Sequence, residues 1–197
     1  MFDIGQVLIH YDPERPFKRL IPDAAKRAWF MENVCTSAWN IEQDRGRPWA
    51  EAEDLLIADH PDWETEIRGF RKHWNEMSYA YDDSVEILQS LLAAGHDVTF
   101  LTNFAADTFL DAQKKYPFLT LGRGVTVSGR VKLIKPNPVI YALHTETFEL
   151  DPSATLFIDD SKPNVEAARE FGWQAIHFKG PEKLKTDLMD FNVPGVD

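Results

Sequence analysis

The chain has a single cysteine, Cys35, in 197 residues. One thiol forms no internal disulfide and offers no cysteine pair to a metal. This excludes a disulfide-stapled secreted scaffold and fits a reducing compartment, so a cytoplasmic protein is expected. Cys35 falls in the apolar helical pattern of Phe30, Met31 and Val34, the mark of a buried structural residue. No apolar run approaches the ~20 residues that span a bilayer. The N-terminus lacks the basic region and long apolar stretch of a signal peptide, and no membrane contact is expected. Basic residues are few: 21 Lys and Arg stand against 32 Asp and Glu, for a net charge of −11. With no basic stripe, nucleic acid is not an expected partner. Gly122-Arg123-Gly124 is too short for a dinucleotide fingerprint and reads as a turn. The histidines (His10, His60, His73, His96, His144 and His177) show no metal-binding spacing, and only His10 lies near the candidate site in sequence.

What is present is a globular composition, 44% apolar with 13 Phe and 6 Trp. The length suits one core domain with a modest insertion. The opening Met-Phe-Asp-Ile-Gly-Gln-Val-Leu-Ile-His-Tyr reads as a strand end, a turn and an extended segment. A helical stretch follows. Asp12-Pro13 starts it, Pro22 to Cys35 and Pro48 to Ala58 have helical spacing, and Asp62 is placed to cap a helix carrying Trp63, Ile67, Phe70 and Trp74. No strand is predicted between residues 13 and 80.

From Asp83 the pattern alternates. Helices are predicted up to Gly95, over Ala105–Lys115, Pro138–Leu150 and Val165–Phe171, and from Pro181. Extended segments are predicted at His96–Thr102, Gly124–Gly129, Thr155–Asp159 and Gln174–Phe178, with Gly172 at a helix C-terminus. Such alternation implies an α/β, Rossmann-like three-layer core with a parallel sheet. The expected organisation is a core formed by residues 1–12 and 81–197, with residues 13–80 as an inserted α-helical cap.

Ligands of open α/β sheets bind outside the carboxyl ends of the strands. There the sequence places Asp3, Thr102-Asn103 and Asp159-Asp160, with Lys135-Pro136 on a loop. In this order the segments Phe2-Asp3-Ile4-Gly5-Gln6-Val7-Leu8, Leu101-Thr102-Asn103, Lys135-Pro-Asn-Pro and Phe157-Ile158-Asp159-Asp160-Ser161-Lys162-Pro163-Asn164 resemble the four motifs of the haloacid dehalogenase-like hydrolase superfamily. The resemblance covers nearly the whole chain. The helical block is similar to the C1-type cap inserted after the first motif. The Asp-x-Gly start resembles the sugar-phosphate phosphatase branch, including glucose-1-phosphate phosphatase-like members.

The resemblance implies a phosphatase acting on a small phosphorylated metabolite, such as a sugar phosphate, with Mg²⁺ as cofactor. Asp3 would be the nucleophile, since a carboxylate that attacks phosphorus splits one hard displacement into two. Asp3, Asp159, Asp160 and the Gly5 carbonyl would hold Mg²⁺, which prefers oxygen ligands and offsets repulsion between nucleophile and phosphate. Thr102 and Asn103 would donate to phosphoryl oxygens, and Lys135 would neutralise developing charge there.

Two departures from the pattern bear on this. Gly5 stands where many superfamily phosphatases carry an Asp general acid, so a cap residue, His10 or water would have to supply the proton, or the leaving group would need none. Only Met1 and Phe2 precede Asp3, whereas a central strand usually has ~5 residues; either the numbering or gene start omits residues or the strand is truncated, and a truncated strand would weaken the placement of Asp3. Two other functions remain open: a metal-independent 2-haloacid dehalogenase using the same nucleophile, and a catalytically impaired binding protein. Crowding Asp3 with Asp159 and Asp160 raises pKa values unless a cation is present, which favours the phosphatase. In the cap, Trp39, Asn40, Arg45 and Arg47 are candidates to read a substrate but fit ordinary packing and surface roles better. Oligomeric state has no signature in the sequence.

Overall fold

The computed structural model describes residues 1–195. The strands are β1 (Ile9–Tyr11), β2 (Ser78–Ala80), β3 (Thr99–Thr102), β4 (Gly124–Val127), β5 (Leu156–Asp159) and β6 (Gln174–His177). Five helices, α1 (Glu14–Leu20), α2 (Ala24–Asn33), α3 (Ser37–Asp44), α4 (Trp49–Asp59) and α5 (Glu64–Lys72), lie between β1 and β2. The rest are α6 (Asp82–Ala93), α7 (Ala106–Lys115), α8 (Ser128–Val131), α9 (Pro138–Thr147), α10 (Lys162–Phe171) and α11 (Pro181–Asp190). None is long and apolar enough to cross a membrane.

β3 pairs with β4 and β5 with β6, both in parallel. The first residues join the two pairs. Phe2 bridges Phe100 on one side and Ile158 on the other, again in parallel. The Phe2 N–H donates to the Thr99 carbonyl at 3.0 Å and the Asp3 N–H to the Ile158 carbonyl at 2.8 Å. In return Leu101 N–H donates to Phe2 and Ile158 N–H to Met1. The parallel order is therefore β4, β3, residues 1–3, β5, β6. The central line is as short as the sequence suggested, but pairing on both sides fixes Asp3 rather than loosening it.

Alternation along these strands builds the layers. Phe2, Phe100, Ile158 and Ile176 belong to one core with Leu88, Phe109, Leu184 and Leu188 of α6, α7 and α11. Their neighbours Leu101, Phe157 and Ala175 belong to a second core with Ile140, Tyr141, Val165 and Ala168 of α9 and α10. Successive strand residues point to opposite faces, so a sheet buried on both sides reads as a continuous apolar run. His144 is a fully buried part of this packing. It bonds Thr99 and Thr126 through its two ring nitrogens, and burial pushes its pKa down to about 3, so it stays neutral.

β1 and β2 pair antiparallel, with Tyr11 opposite Ser78, so the helical block leaves and re-enters the chain at one point. The block has an aromatic centre: Phe17 and Phe30 lie 5.3 Å apart between ring centroids, and Trp39 meets Trp49 and Phe70 edge-on. Cys35 is free and buried, as its apolar pattern predicted. Three local expectations differ. β2 occurs where no strand was predicted, being too short to display a period. α3 was not foreseen, although Thr36 caps it by accepting from the Trp39 N–H. Asp62 does not cap α5; Pro61–Trp63 forms a 3-10 turn leading into it, and its N-cap Trp63 has no side-chain bond.

Candidate active site

The carboxyl ends of the parallel strands bring Asp3, Thr102 and Asp159 together, and Lys135 enters from the loop after α8. Its Nζ spends three donors, at 2.9 Å on Asp3 Oδ1, 2.6 Å on Asp159 Oδ2 and 3.0 Å on the Leu101 carbonyl. The lysine is 2% exposed. Burial works against its charge, but Asp159 and Asp3 outweigh that and hold its pKa above the ordinary lysine value. Asn103 clasps the same loop. Its Oδ1 accepts from the Lys135 N–H at 2.9 Å and its Nδ2 donates to the Lys135 carbonyl at 3.1 Å.

Asp159 is fully buried and saturated. Oδ1 accepts from the Ser161 N–H at 2.8 Å, and Asn164 Nδ2 lies 3.1 Å from both oxygens. Asp160 is half-buried, with no ion-pair partner among the described residues. Its carbonyl bonds His177 Nε2 at 2.8 Å, which fixes the turn that presents it. Burial, then the charge of Asp159, raises the Asp160 pKa. Burial pushes Asp3 up to about 7; Lys135 opposes this and Asp159 adds to it.

Asp3, Asp159 and Asp160 each offer a carboxylate oxygen within 4.8 Å of the others. Lys135 pairs with two of the three acids, Asp3 and Asp159, leaving an excess of negative charge that suits a hard divalent cation. Because Asp159 is bound by protein donors, the more open oxygens belong to Asp3 and Asp160. The Gly5 carbonyl is not an acceptor in the surrounding backbone hydrogen bonds. A Cβ on Gly5 would meet nothing within 4 Å. Space therefore does not require glycine there.

These groups border a cavity of about 450 Å³. Asp3, Gly5, Asn103, Lys135 and Asp160 line it together with Tyr11, Asn40, Ile41, Asp44 and Trp49, and with Trp74 and Phe104. Thr102 does not line it, yet its hydroxyl is buried with no partner. Of the four candidates in the helical block only Asn40 reaches the cavity. Trp39 packs against Trp49 and Phe70, Arg45 pairs with Glu42 at 3.1 Å, and Arg47 is held by Gln43 and the Trp39 carbonyl. His10 bonds Tyr81 and lies against Tyr79, away from the cavity lining. Asp44, Tyr11, Asn164 and His177 were not singled out in sequence. Only Asn164 carried a signal, four residues after Asp160 and so one helical turn on.

Similarity to known proteins follows this geometry. The chain is 28% identical over 118 residues to flavin mononucleotide hydrolase 1, a chloroplast protein of Arabidopsis thaliana. The match covers 58% of this chain and 47% of that protein, so the chain spans about half the length of this curated relative. In structure it is similar to a HAD family enzyme, BT-2542 of Bacteroides thetaiotaomicron, with a TM-score of 0.70 and 25% identity over 90% of this chain and 91% of that one. L-2-haloacid dehalogenase of Xanthobacter autotrophicus shares the fold at a TM-score of 0.65 and 18% identity, over 98% of this chain and 82% of that one. The family model described as haloacid dehalogenase-like hydrolase matches residues 40–178, well over half the sequence, and the chain belongs to that family.

Proposed function

We propose that this chain is a Mg²⁺-dependent phosphoric monoester hydrolase acting on a small phosphorylated metabolite through a phosphorylated Asp3. The observation that carries this reading is the acid triad of Asp3, Asp159 and Asp160, clustered at strand ends beside a cavity, with the Lys135 ammonium paired to only two of them, Asp3 and Asp159. Bound to Asp3, Asp160, the Gly5 carbonyl and Asp159, Mg²⁺ would offset repulsion between a phosphate and these carboxylates.

Asp3 attacks phosphorus; the new O–P bond forms as the bond to the leaving oxygen breaks. Water then attacks the same phosphorus and frees Asp3. Lys135, fixed by three acceptors, supplies positive charge where it builds on the phosphoryl group. The remaining amide N–H of Asn103, which lines the cavity, is the neutral donor there; the Thr102 hydroxyl is unpaired but buried and does not line the cavity, so it would donate only if the strand end shifts on binding. Asn103 also positions Lys135 through its clasp. Residues 13–80 serve as a cap, because Asn40, Ile41, Asp44, Trp49 and Trp74 of this block line the cavity that Asp3 also lines.

The cavity narrows the substrate class. Trp49, Trp74 and Phe104 favour a leaving group with a flat or apolar face, which an aromatic ring and the C–H face of a sugar both offer. Sugar phosphates and flavin or other aromatic phosphates therefore belong in one screen. The relative in Arabidopsis is a flavin mononucleotide hydrolase, and a BT-2542 crystal form contains magnesium and inorganic phosphate. The buried free thiol of Cys35 suits the cytoplasm.

Hydrolysis of p-nitrophenyl phosphate, with and without Mg²⁺, tests the reading. Wild type should release phosphate only with the cation, and Asp3→Asn should release none. Folded wild type that is inactive at every Mg²⁺ concentration, but releases halide from 2-haloacids, would favour the dehalogenase instead.

A further inference from the structure

The reading above leaves the leaving group without a proton donor, since Gly5 has no side chain. The titratable groups lining the cavity are Asp3, Tyr11, Asp44, Lys135 and Asp160. Asp3 is the nucleophile and Asp160 faces the cation. Lys135 donates to Asp3, Asp159 and Leu101, with no proton to spare. The Tyr11 phenol is buried without a partner, and burial, with the nearby charge of Asp44, raises its pKa well beyond the usual range. His10 is bound to Tyr81 outside the cavity lining. Asp44 remains.

Asp44 ends α3 and lines the same cavity as Asp3. It has no ion-pair partner among the described residues. Burial pushes its carboxyl up to about 7, against a smaller lowering contact from the Ala105 backbone amide at the start of α7. Its charge in turn helps raise the neighbouring Tyr11 phenol. A buried carboxyl with no cation beside it is held partly protonated near neutral pH and can give that proton up to a stronger base.

Resting on the phosphatase reading, we propose that Asp44, supplied by the helical block, is the general acid and base that replaces the side chain absent at Gly5. In the first step the Asp3 oxygen bonds to phosphorus and the ester P–O bond breaks. The leaving oxygen takes the proton of Asp44 and departs as an alcohol. In the second step water attacks the phosphorus of phosphorylated Asp3 and passes its proton to the Asp44 carboxylate. The Asp3–phosphorus bond breaks, inorganic phosphate leaves, and Asp44 is protonated again. No oxidant or further reactant is needed.

The competing role is structural: the Ala105 backbone amide, next to Asp44, favours its charged form, and Asp44 would then merely dock α3 on the start of α7. Leaving-group dependence separates the two. Benzyl phosphate and p-nitrophenyl phosphate present similar aromatic bodies, but the benzyl alkoxide needs a proton and nitrophenolate does not. Asp44→Asn keeps an acceptor for Ala105 and loses the proton. We expect kcat/KM for benzyl phosphate to fall about 10²–10⁴-fold, while kcat/KM for p-nitrophenyl phosphate changes far less. Slow attack by water should then let phosphorylated Asp3 accumulate, giving a burst of nitrophenol. Asp44→Glu should recover part of the benzyl phosphate turnover.

Equal losses on both substrates would overturn the proposal in favour of docking. Unchanged benzyl phosphate turnover in Asp44→Asn would overturn it, as would a wild type active on p-nitrophenyl phosphate but inert to benzyl phosphate. A wild type inert to both with Mg²⁺ would instead sink the phosphatase reading on which the proposal rests.

Discussion

Lys135 stands against two buried carboxylates at once, and the strength of that arrangement depends on all three staying together. A buried pair gains little over apolar packing, but removing one partner leaves uncompensated charge and costs about 3–5 kcal/mol. Lys135→Met should therefore strip Asp3 and Asp159 of their counter-charge, lower stability by about that amount in denaturant unfolding, and cut kcat at least 10²-fold as other lost charge-stabilising donors do. Lys135→Arg should not restore turnover, since a planar fork does not fit acceptors placed around a point charge at 2.6–3.0 Å. A stable, active Lys135→Met protein would show that the lysine is a bystander. Asn103 shows how a residue's role depends on what it touches. Its sequence position suggested a phosphoryl contact, and in the structure its amide also holds the Lys135 backbone at both ends, with one Nδ2 hydrogen left over.

At the scale of elements, the loop after β3 and the start of α8 are pressed together by a glycine. A Cβ on Gly129 would sit 2.7 Å from the Ala106 nitrogen and 2.8 Å from the Phe104 carbonyl, both backbone atoms that cannot rotate away. The Gly129 N–H also donates to that carbonyl at 3.1 Å. Gly129→Ala should push the 103–105 loop outward, misplace Asn103 and with it Lys135, and lower kcat with the circular-dichroism spectrum intact. An unchanged kcat would mean that the loop relaxes without moving the lysine. This also marks where sequence reading stops. The strand-end acids were legible because an apolar run buried on both faces ends abruptly in Asp or Thr. The parallel core was legible because such runs alternate with helical spacing. β2 was too short to show a period. α3 lay between two stronger helix signals and announced itself only through Thr36. Asp44 was illegible because its contact with the cavity depends on how that helix lies across the sheet ends, a pairing of residues some sixty apart in sequence, from Asp44 to Ala105.

For the molecule as a whole, a net charge of −11 makes gathering acids at one point more costly, and that cost makes a bound cation a stabilising element as well as a chemical one. Asp3, Asp159 and Asp160 converge only when the sheet is complete, with residues 1–3 locked between β3 and β5. The unfolded chain holds no such site. A ligand that binds the folded state alone stabilises it by mass action, about 2.7 kcal/mol at a hundredfold excess over Kd. For a chain of this size that is a rise in Tm of roughly 5–10 °C. Adding Mg²⁺ to chelator-treated protein should produce such a rise. Asp160→Asn should abolish most of it while sparing the metal-free Tm, because the Asp160 carboxylate has no ion-pair partner among the described residues to lose. Calorimetric scans of both proteins, with Mg²⁺ and with an equal ionic strength of Na⁺, decide the matter. If Na⁺ stabilises as well as Mg²⁺, the effect is general screening of an acidic protein. If Asp160→Asn keeps the full Mg²⁺ increment, the cation is bound elsewhere and the acids at the strand ends serve only to hold Lys135.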